Sequence, residues 1–313
     1  MALIKEIWIN EVQETLNQKA EFLSFSIDHS EYIAFGTVHL PQAGANPTVN
    51  VNPSSFPLTI AQRTDTDRTY AMNQYALDPT LITNLDALQI SYDKKNSVIG
   101  QQISTLVDTC GTEVAIAWTA SGAGNMVLTT GTAGTSLPPS GTGTRKAVAL
   151  IDIANLAKKL DKDNVPNDGR RVLLMNSDMF WELFTISEVV RASYNGFQMA
   201  NGTNTLSSGI VAQLFGFKIM MRPTVSVFTK TGTSAKARIT AGAADDRLAC
   251  IAWHPTVVSR AMGTITPLYD SGSNGNGRPE FLGSIFNMEV MLGAAVMRTD
   301  MKGVAALVQA WVS

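Results

Sequence analysis

The chain has 313 residues, 45% of them apolar and only 16% charged, with a net charge of −2 and an isoelectric point near 5.9. That balance excludes a dedicated nucleic-acid binder, which carries a basic stripe or excess, and no uncharged apolar run reaches the roughly 18 residues of a membrane span. Because roughly a quarter of an ordinary soluble domain is charged, so low a fraction implies either a large core or a surface buried against other copies. Cys110 and Cys250 are too few for a disulfide framework and sit in apolar runs, as buried thiols in a reducing compartment do. Lys5, Glu6, Glu11 and Glu14 interrupt the first apolar segment, which argues against a secretion signal.

Residues 1–35 read as an arm, loosely helical at first and then rich in apolar side chains from Phe22 to Phe35. Such a segment needs a surface to lie on, either a neighbouring subunit or the chain's own core. Residues 36–78 change character. Prolines 41, 47, 53 and 57 punctuate short strand-like runs, TVNV at 48–51 and FPLTI at 56–60. A charged polar tip follows at 62–68 and a second strand at 69–77, so the segment reads as a long two-stranded ribbon. A ribbon alone is marginal in water and must lean on something else.

Asp78-Pro79 has the form of a helix N-cap followed by proline at the first helical position, although LQISY at 88–92 alternates like a strand. The main helix is expected over 91–118. Ile99, Ile103, Leu106, Cys110, Val114 and Ala117 recur three or four apart on one side, and Lys94, Lys95, Gln101, Gln102, Asp108 and Thr112 lie opposite. Gly100 and Gly111 each weaken it by about 1 kcal/mol relative to Ala if exposed. Residues 119–144, rich in Gly, Thr and Ser, read as a mobile linker or surface loop and the first plausible boundary.

From 145 to 223 the pattern is α/β: an amphipathic helix at 147–160, a turn at 163–169, a buried strand at 171–175, a helix at 178–186 capped by Ser177, and a second strand at 216–221. Between the last two lies a polar, glycine-bearing loop, 191–208. A small-residue loop at 230–246 precedes a buried strand at 248–253. A glycine-rich turn spans 271–277, and 281–312 reads as strands returning to a core.

Motifs with chemistry are not found. His29, His39 and His254 form no metal-ligand pair, and neither cysteine has a ligand partner at metal spacing. Asp161, Asp163 and Asp168 superficially resemble a calcium loop, but the closing glutamate is missing and the offsets are wrong, so the segment reads as a solvated turn. The glycines at 272–277 are flanked by strands and supply no helix N-terminus for phosphate. No nucleophile elbow or phosphate-binding loop is present, so no catalytic residue, cofactor or metal is assigned.

The order of parts resembles the major capsid proteins of tailed bacteriophages. The stretches that carry it are NLDALQISYDKKNSVIGQQISTLVDTCGTEVAIAW at 84–118, DGRRVLLMNSDMFWELF within 149–184 with the later GIVAQLFGFKIMMRP, and RPEFLGSIFNMEVMLGAAVMRTDM at 278–301. The resemblance implies an α+β, Hong Kong 97 phage-like capsid fold: N-arm 1–35, E-loop ribbon 36–78, P-domain 79–144 with spine helix 91–118, A-domain 145–250, and a return to the P-domain over 251–313. It implies a non-enzymatic subunit that assembles as pentamers and hexamers into an icosahedral virion head in the bacterial cytoplasm. The implied partners are other copies, a portal protein, scaffolding or decoration proteins, and packaged double-stranded DNA held without sequence preference. Inter-subunit contacts are expected at Arg63, Asp65, Asp67 and Arg68 on the tip, Lys5 and Trp8 on the arm, and Arg191, Asn195 and Asn201 on the loop. The chain begins almost at the arm, which implies a separate scaffold or none. The ribbon 36–78 holds no lysine, so the namesake's lysine–asparagine cross-link is not expected. An encapsulin-type compartment shares the fold, and a soluble α/β enzyme is the remaining alternative.

Overall fold

The computed structural model describes residues 21–33, 35–44, 47–58, 60, 62–83, 93–184, 210–264, 266–271 and 283–312. In chain order the strands begin with β1 (Ile27–Asp28), the ribbon pair β2 (Thr37–Gln42) and β3 (Thr66–Ala71), then β4 (Asn73–Ala76) and β5 (Thr80–Thr83). Helix α1 (Asp93–Trp118) is followed by β6 (Met126–Leu128), β7 (Ala133–Gly134), β8 (Arg145–Lys146), α2 (Leu150–Lys162), β9 (Arg171–Asn176) and α3 (Ser177–Phe184). The chain continues through β10 (Ile210–Leu214), β11 (Phe217–Arg222), β12 (Ser226–Phe228), β13 (Arg247–Trp253), β14 (Val258–Met262) and β15 (Thr266–Ser271). It ends with β16 (Gly283–Val296) and β17 (Val304–Val308).

The larger sheet runs β10-β11-β9-β13-β17-β6, with β12 also paired to β13. Its central strands are apolar without interruption because both faces are covered. Alternate residues of β9, β13 and β17 divide between two cores, as the two-residue period of a strand requires. Leu173, Met175, Cys250, Ala252 and Leu307 meet Ile153, Leu156 and Leu160 of α2 and Met179, Phe180 and Leu183 of α3. Val172, Leu174, Ile251, Trp253 and Ala306 face the other way, towards α1. The smaller sheet is organised on β16, which is antiparallel to β14, β15, β4 and β5 along its length. Its residues Phe286, Met288, Val290 and Leu292 enter the same core as α1.

Helix α1 spans about 39 Å at 1.5 Å per residue, and its buried stripe includes Ile99, Ile103, Leu106, Cys110 and Val114, as the sequence spacing predicts. The stripe ends differently. Trp118 is buried and Ala117 is exposed, because the indole packs edge-on to Phe22 (5.8 Å between ring centres) and tilted against Trp253 (5.5 Å). Both indole N–H groups find carbonyls on other elements, Trp118 on Ser259 of β14 and Trp253 on Phe25 of the arm. Phe22, with Leu23 and Phe25 beside it, therefore packs in the chain's own core, whereas Tyr32 and Phe35 are exposed.

The glycines of α1 serve different ends. A Cβ at Gly111 would overlap the guanidinium of Arg222, which donates to the Asp108 carbonyl at 2.8 Å and to Thr112 Oγ1 at 3.0 Å. Thr112, expected on the solvent side, is buried beneath that arginine. A Cβ at exposed Gly100 would meet nothing.

Several sequence expectations need correction. Thr80–Thr83 is a strand on β16, so Asp78-Pro79 is not a helix start. The segment 119–144 is not a mobile linker. Its β6 pairs in parallel with β17, and its backbone is held by helical carboxylates. Asp152 accepts from the Thr130 amide and hydroxyl, and Glu182 accepts from the amides of Thr135 and Ser136. The cap of α3 is Asn176, whose Oδ1 accepts the Asp178 amide at 3.0 Å, rather than Ser177. The large sheet also draws strands from outside 145–250. It includes β6 and β17, and VAALV of β17 is apolar on both faces, as suits a doubly covered centre. The loop 230–246 is built around buried Arg145, which donates to the carbonyls of Thr142, Ala244 and Asp246 and lies 3.4 Å over the Trp311 ring. The expected strand at 88–92 and turn residues 272–277 lie outside the described residues.

The two helical glycines make opposite predictions. Gly111→Ala should lower stability by about 1–3 kcal/mol, the usual cost of overpacking. Gly100→Ala should raise it by up to about 1 kcal/mol through helix propensity. Urea unfolding of both variants tests this, and a stabilising Gly111→Ala would contradict the packing described.

Candidate assembly surface

The ribbon is the feature of this fold that its own core does not explain. Strands β2 and β3 pair in antiparallel register, Val38 opposite Tyr70 and Leu40 opposite Arg68. On β2 the side chains alternate as a half-buried strand requires: Val38 and Leu40 are buried, while His39 and Pro41 are exposed. Val38, Leu40, Tyr70 and Met72 form a small third core with Ala261 of β14 and Ala295 of β16. A Cβ at Gly293 would come within 3.0 Å of the Ala71 carbonyl oxygen, so the ribbon lies tight against β16. Polar fastenings finish the base. Gln42 donates to the Met297 carbonyl at 2.5 Å, Thr299 donates to Gln42, and Arg68 donates to the Arg298 carbonyl.

Beyond Gln42 and Thr66 the chain leaves this support. TVNV and FPLTI form no strand among the described residues. Prolines 47, 53 and 57 remove ladder donors there, whereas Pro41 is tolerated inside β2 because a two-stranded ribbon has free edges. The result is an excursion whose apolar side chains face solvent: Val49 is 85% exposed, Val51 83%, Phe56 73% and Ile60 96%. Four large apolar side chains are thus exposed within twelve consecutive positions.

The four tip charges have partners within the chain. Arg63 makes a two-point pair with Asp65 at 2.7 and 2.8 Å. Asp67 lies 2.6 Å from His39 across the ribbon, and Arg68 is taken up at the base. Asp67 and Arg68 lie in β3, not at a tip; the turn lies between 43 and 65. Lys5, Trp8, Arg191, Asn195 and Asn201 lie outside the described residues. The apolar residues were legible as a strand-like pattern, but their exposure was not, since the sequence offered them as paired strands.

Other polar clusters serve the fold. His254 is buried, with Nδ1 2.7 Å from Thr256 Oγ1 and Nε2 3.2 Å from Asp168. This hydroxyl–imidazole–carboxylate chain ties the 163–169 turn to the end of β13. Asp161 pairs with buried Arg171 at 2.7 Å and Asp163 with Lys159 at 2.5 Å. The turn is solvated as read, with Asp161, Asn164 and residues 166–170 exposed, while Asp163 is nearly buried in its ion pair. Among the described residues no group of three His, Cys, Asp or Glu is placed to hold a metal. A cleft of about 600 Å³ is lined mainly by Gly131, Ala147–Ile151 backbone and side chains, and Phe215, with the Glu182 carboxylate at its edge already accepting two amides.

Comparison with solved structures places the whole arrangement. The chain matches the capsid of cyanophage P-SCSP1u with a TM-score of 0.62 at 14% identity, over 90% of this chain and 86% of that one. It matches the capsid of Ralstonia phage GP4 at 0.62 and 11% identity (92% and 88% covered), and the cyanophage Pam1 capsid at 0.60 and 12% (93% and 92%). The fold is that of phage capsid proteins. No family model and no curated protein sequence matches the chain, so the phage capsid likeness is carried by architecture and not by sequence motifs. It extends over 90–93% of the chain in these three comparisons.

Burial pushes the thiols of Cys110 and Cys250 up to about 12. Both therefore stay protonated, and shielded, far above neutral pH. At pH 8 the folded chain should be inert to a disulfide-exchange reagent and release two equivalents on unfolding. Rapid reaction of either thiol in the native protein would contradict the burial described.

Proposed function

We propose that this chain is a major capsid protein, copies of which assemble as pentamers and hexamers into the icosahedral head around a phage genome. The observation that carries this reading is a ribbon with a rigid base and an apolar end that no part of the described chain covers. A second copy supplies the missing cover. Burying each such Val, Ile or Phe side chain contributes about 1.5–3 kcal/mol before the costs of association are subtracted. Single contacts are therefore modest. A closed shell multiplies them, because each subunit already held by one neighbour meets the next at high effective concentration.

On this reading the arm, with Lys5 and Trp8, and the 191–208 segment, with Arg191, Asn195 and Asn201, make further subunit contacts. Arg63 and Asp65, at the neck, form part of the polar rim around the apolar end, the usual anatomy of a protein interface, and Asp67 and Arg68, in β3, make their contacts beside the base of the ribbon. A portal protein, a scaffold or decoration protein and packaged DNA are the remaining partners, with the virion as the destination. The net charge of −2 makes any DNA contact local to a few basic side chains and strongly salt-dependent. The role is structural, and the ribbon without lysine leaves its joints non-covalent at that element.

The test is velocity sedimentation of the purified full chain beside a Val51→Ser, Phe56→Ser, Ile60→Ser triple variant. Wild type should sediment as large particles. The variant should keep its circular dichroism and melting temperature, since the three side chains are exposed in the subunit, but remain small. Normal particles from the variant would remove the ribbon from the assembly mechanism, and a small wild-type oligomer would overturn the capsid reading itself.

A further inference from the structure

The rigid base of the ribbon ends at Gln42 and Thr66, yet the apolar residues begin five or more positions further out. What aims them is a contact at the neck. Gly44 and Thr64 come so close that a Cβ on Gly44 would overlap the Thr64 carbonyl oxygen and sit 3.2 Å from Arg63 Cγ. The Gly44 amide donates to Asp65 Oδ1 at 3.0 Å. That carboxylate is held in turn by the Arg63 guanidinium at two points, which keeps its pKa below the ordinary aspartate range. Backbone from the outgoing limb is thus tied to side chains of the returning limb, just past the last ladder pair, Gln42 with Thr66.

We propose that Gly44, Asp65 and Arg63 form a clasp that closes the neck of the ribbon and aims the apolar end at residues 47–60 before a second copy arrives. This rests on the capsid reading above and adds to it a pre-organisation step. Ordering a loop at the moment of binding costs affinity, and a loop already ordered avoids that cost. Glycine is required at 44 for space, since the two limbs leave no room for a methyl group. Asp65 is required mainly as an acceptor for the Gly44 amide. Arg63 fixes the rotamer of Asp65 and so acts as a positioning residue. The ion pair is half exposed and contributes little by itself. The steric closeness at Gly44 and the amide acceptor carry the device.

Three full-length variants separate the roles: Gly44→Ala, Asp65→Ala and Asp65→Asn. Two readouts are needed, amide hydrogen exchange of the neck in the unassembled subunit and the rate of particle formation by light scattering. Gly44→Ala and Asp65→Ala should speed exchange of the neck roughly two- to fivefold, the scale of an exposed polar contact, and slow assembly with no change in melting temperature. Asp65→Asn, which keeps an oxygen for the Gly44 amide, should restore both readouts most of the way to wild type. Unchanged neck exchange in Gly44→Ala and Asp65→Ala overturns the clasp. Faster exchange with unchanged assembly overturns its role in aiming the ribbon. A fall in melting temperature that accounts for the lost assembly overturns it in favour of general destabilisation. If wild type forms no particles while the exchange differences hold, the capsid reading fails and the clasp itself stands.

Discussion

Phe22, Trp118 and Trp253 form the contact on which the rest of this molecule depends. They come from the arm, the end of α1 and β13 of the larger sheet, and their rings meet within 6.4 Å of one another. Their polar ends extend the tie, because the Trp118 indole donates to Ser259 in the smaller sheet and the Trp253 indole to Phe25 in the arm. Buried indoles that each satisfy a carbonyl on a different element specify one arrangement of four elements, where apolar packing alone would tolerate several. The two sheets thus share one core across α1 and do not divide into independent units.

That shared core explains why the ribbon can extend so far. Its base lies on Ala261 and Ala295, in β14 and β16, and those strands are held from beneath by the α1 core through Val258, Leu292 and Val296. A lever needs a fixed end. Here the fixed end is reached through consecutive layers: aromatic cluster, smaller sheet, third core, ribbon base and then the neck at Gly44. The series runs from buried layers to side chains that no described residue covers.

How much of this was legible in the sequence follows from the range of the forces involved. Helix α1 was legible to within two residues because Ile99, Ile103, Leu106, Cys110 and Val114 repeat at helical spacing. The strands β9, β11 and β13 stood out as apolar runs, since strands covered on both faces need no alternation. The ribbon strands were misplaced because TVNV and FPLTI look more strand-like than TVHLPQ or TDRTYA, and only the third core beneath Val38 and Tyr70 selects the latter pair. For residues 119–144 the mobile-linker alternative fails, and the surface-loop alternative is closer, for a related reason. Their small, uncharged side chains suggest mobility, whereas Asp152 and Glu182, distant in sequence, satisfy their amides. The buried position of Arg145 depends equally on carbonyls about 100 residues away. The phage capsid architecture was recognisable from the order of elements, but the exposed apolar end and the clasp at the neck emerged only in three dimensions.

The central claim is that the apolar end of the ribbon is covered by a second copy within a closed shell. Electron cryomicroscopy of the purified wild-type protein tests it most directly. The account predicts icosahedral particles in which Val49, Val51, Phe56 and Ile60 lie against a neighbouring subunit. Particles with those side chains facing solvent, or a preparation made up only of small oligomers, would contradict it.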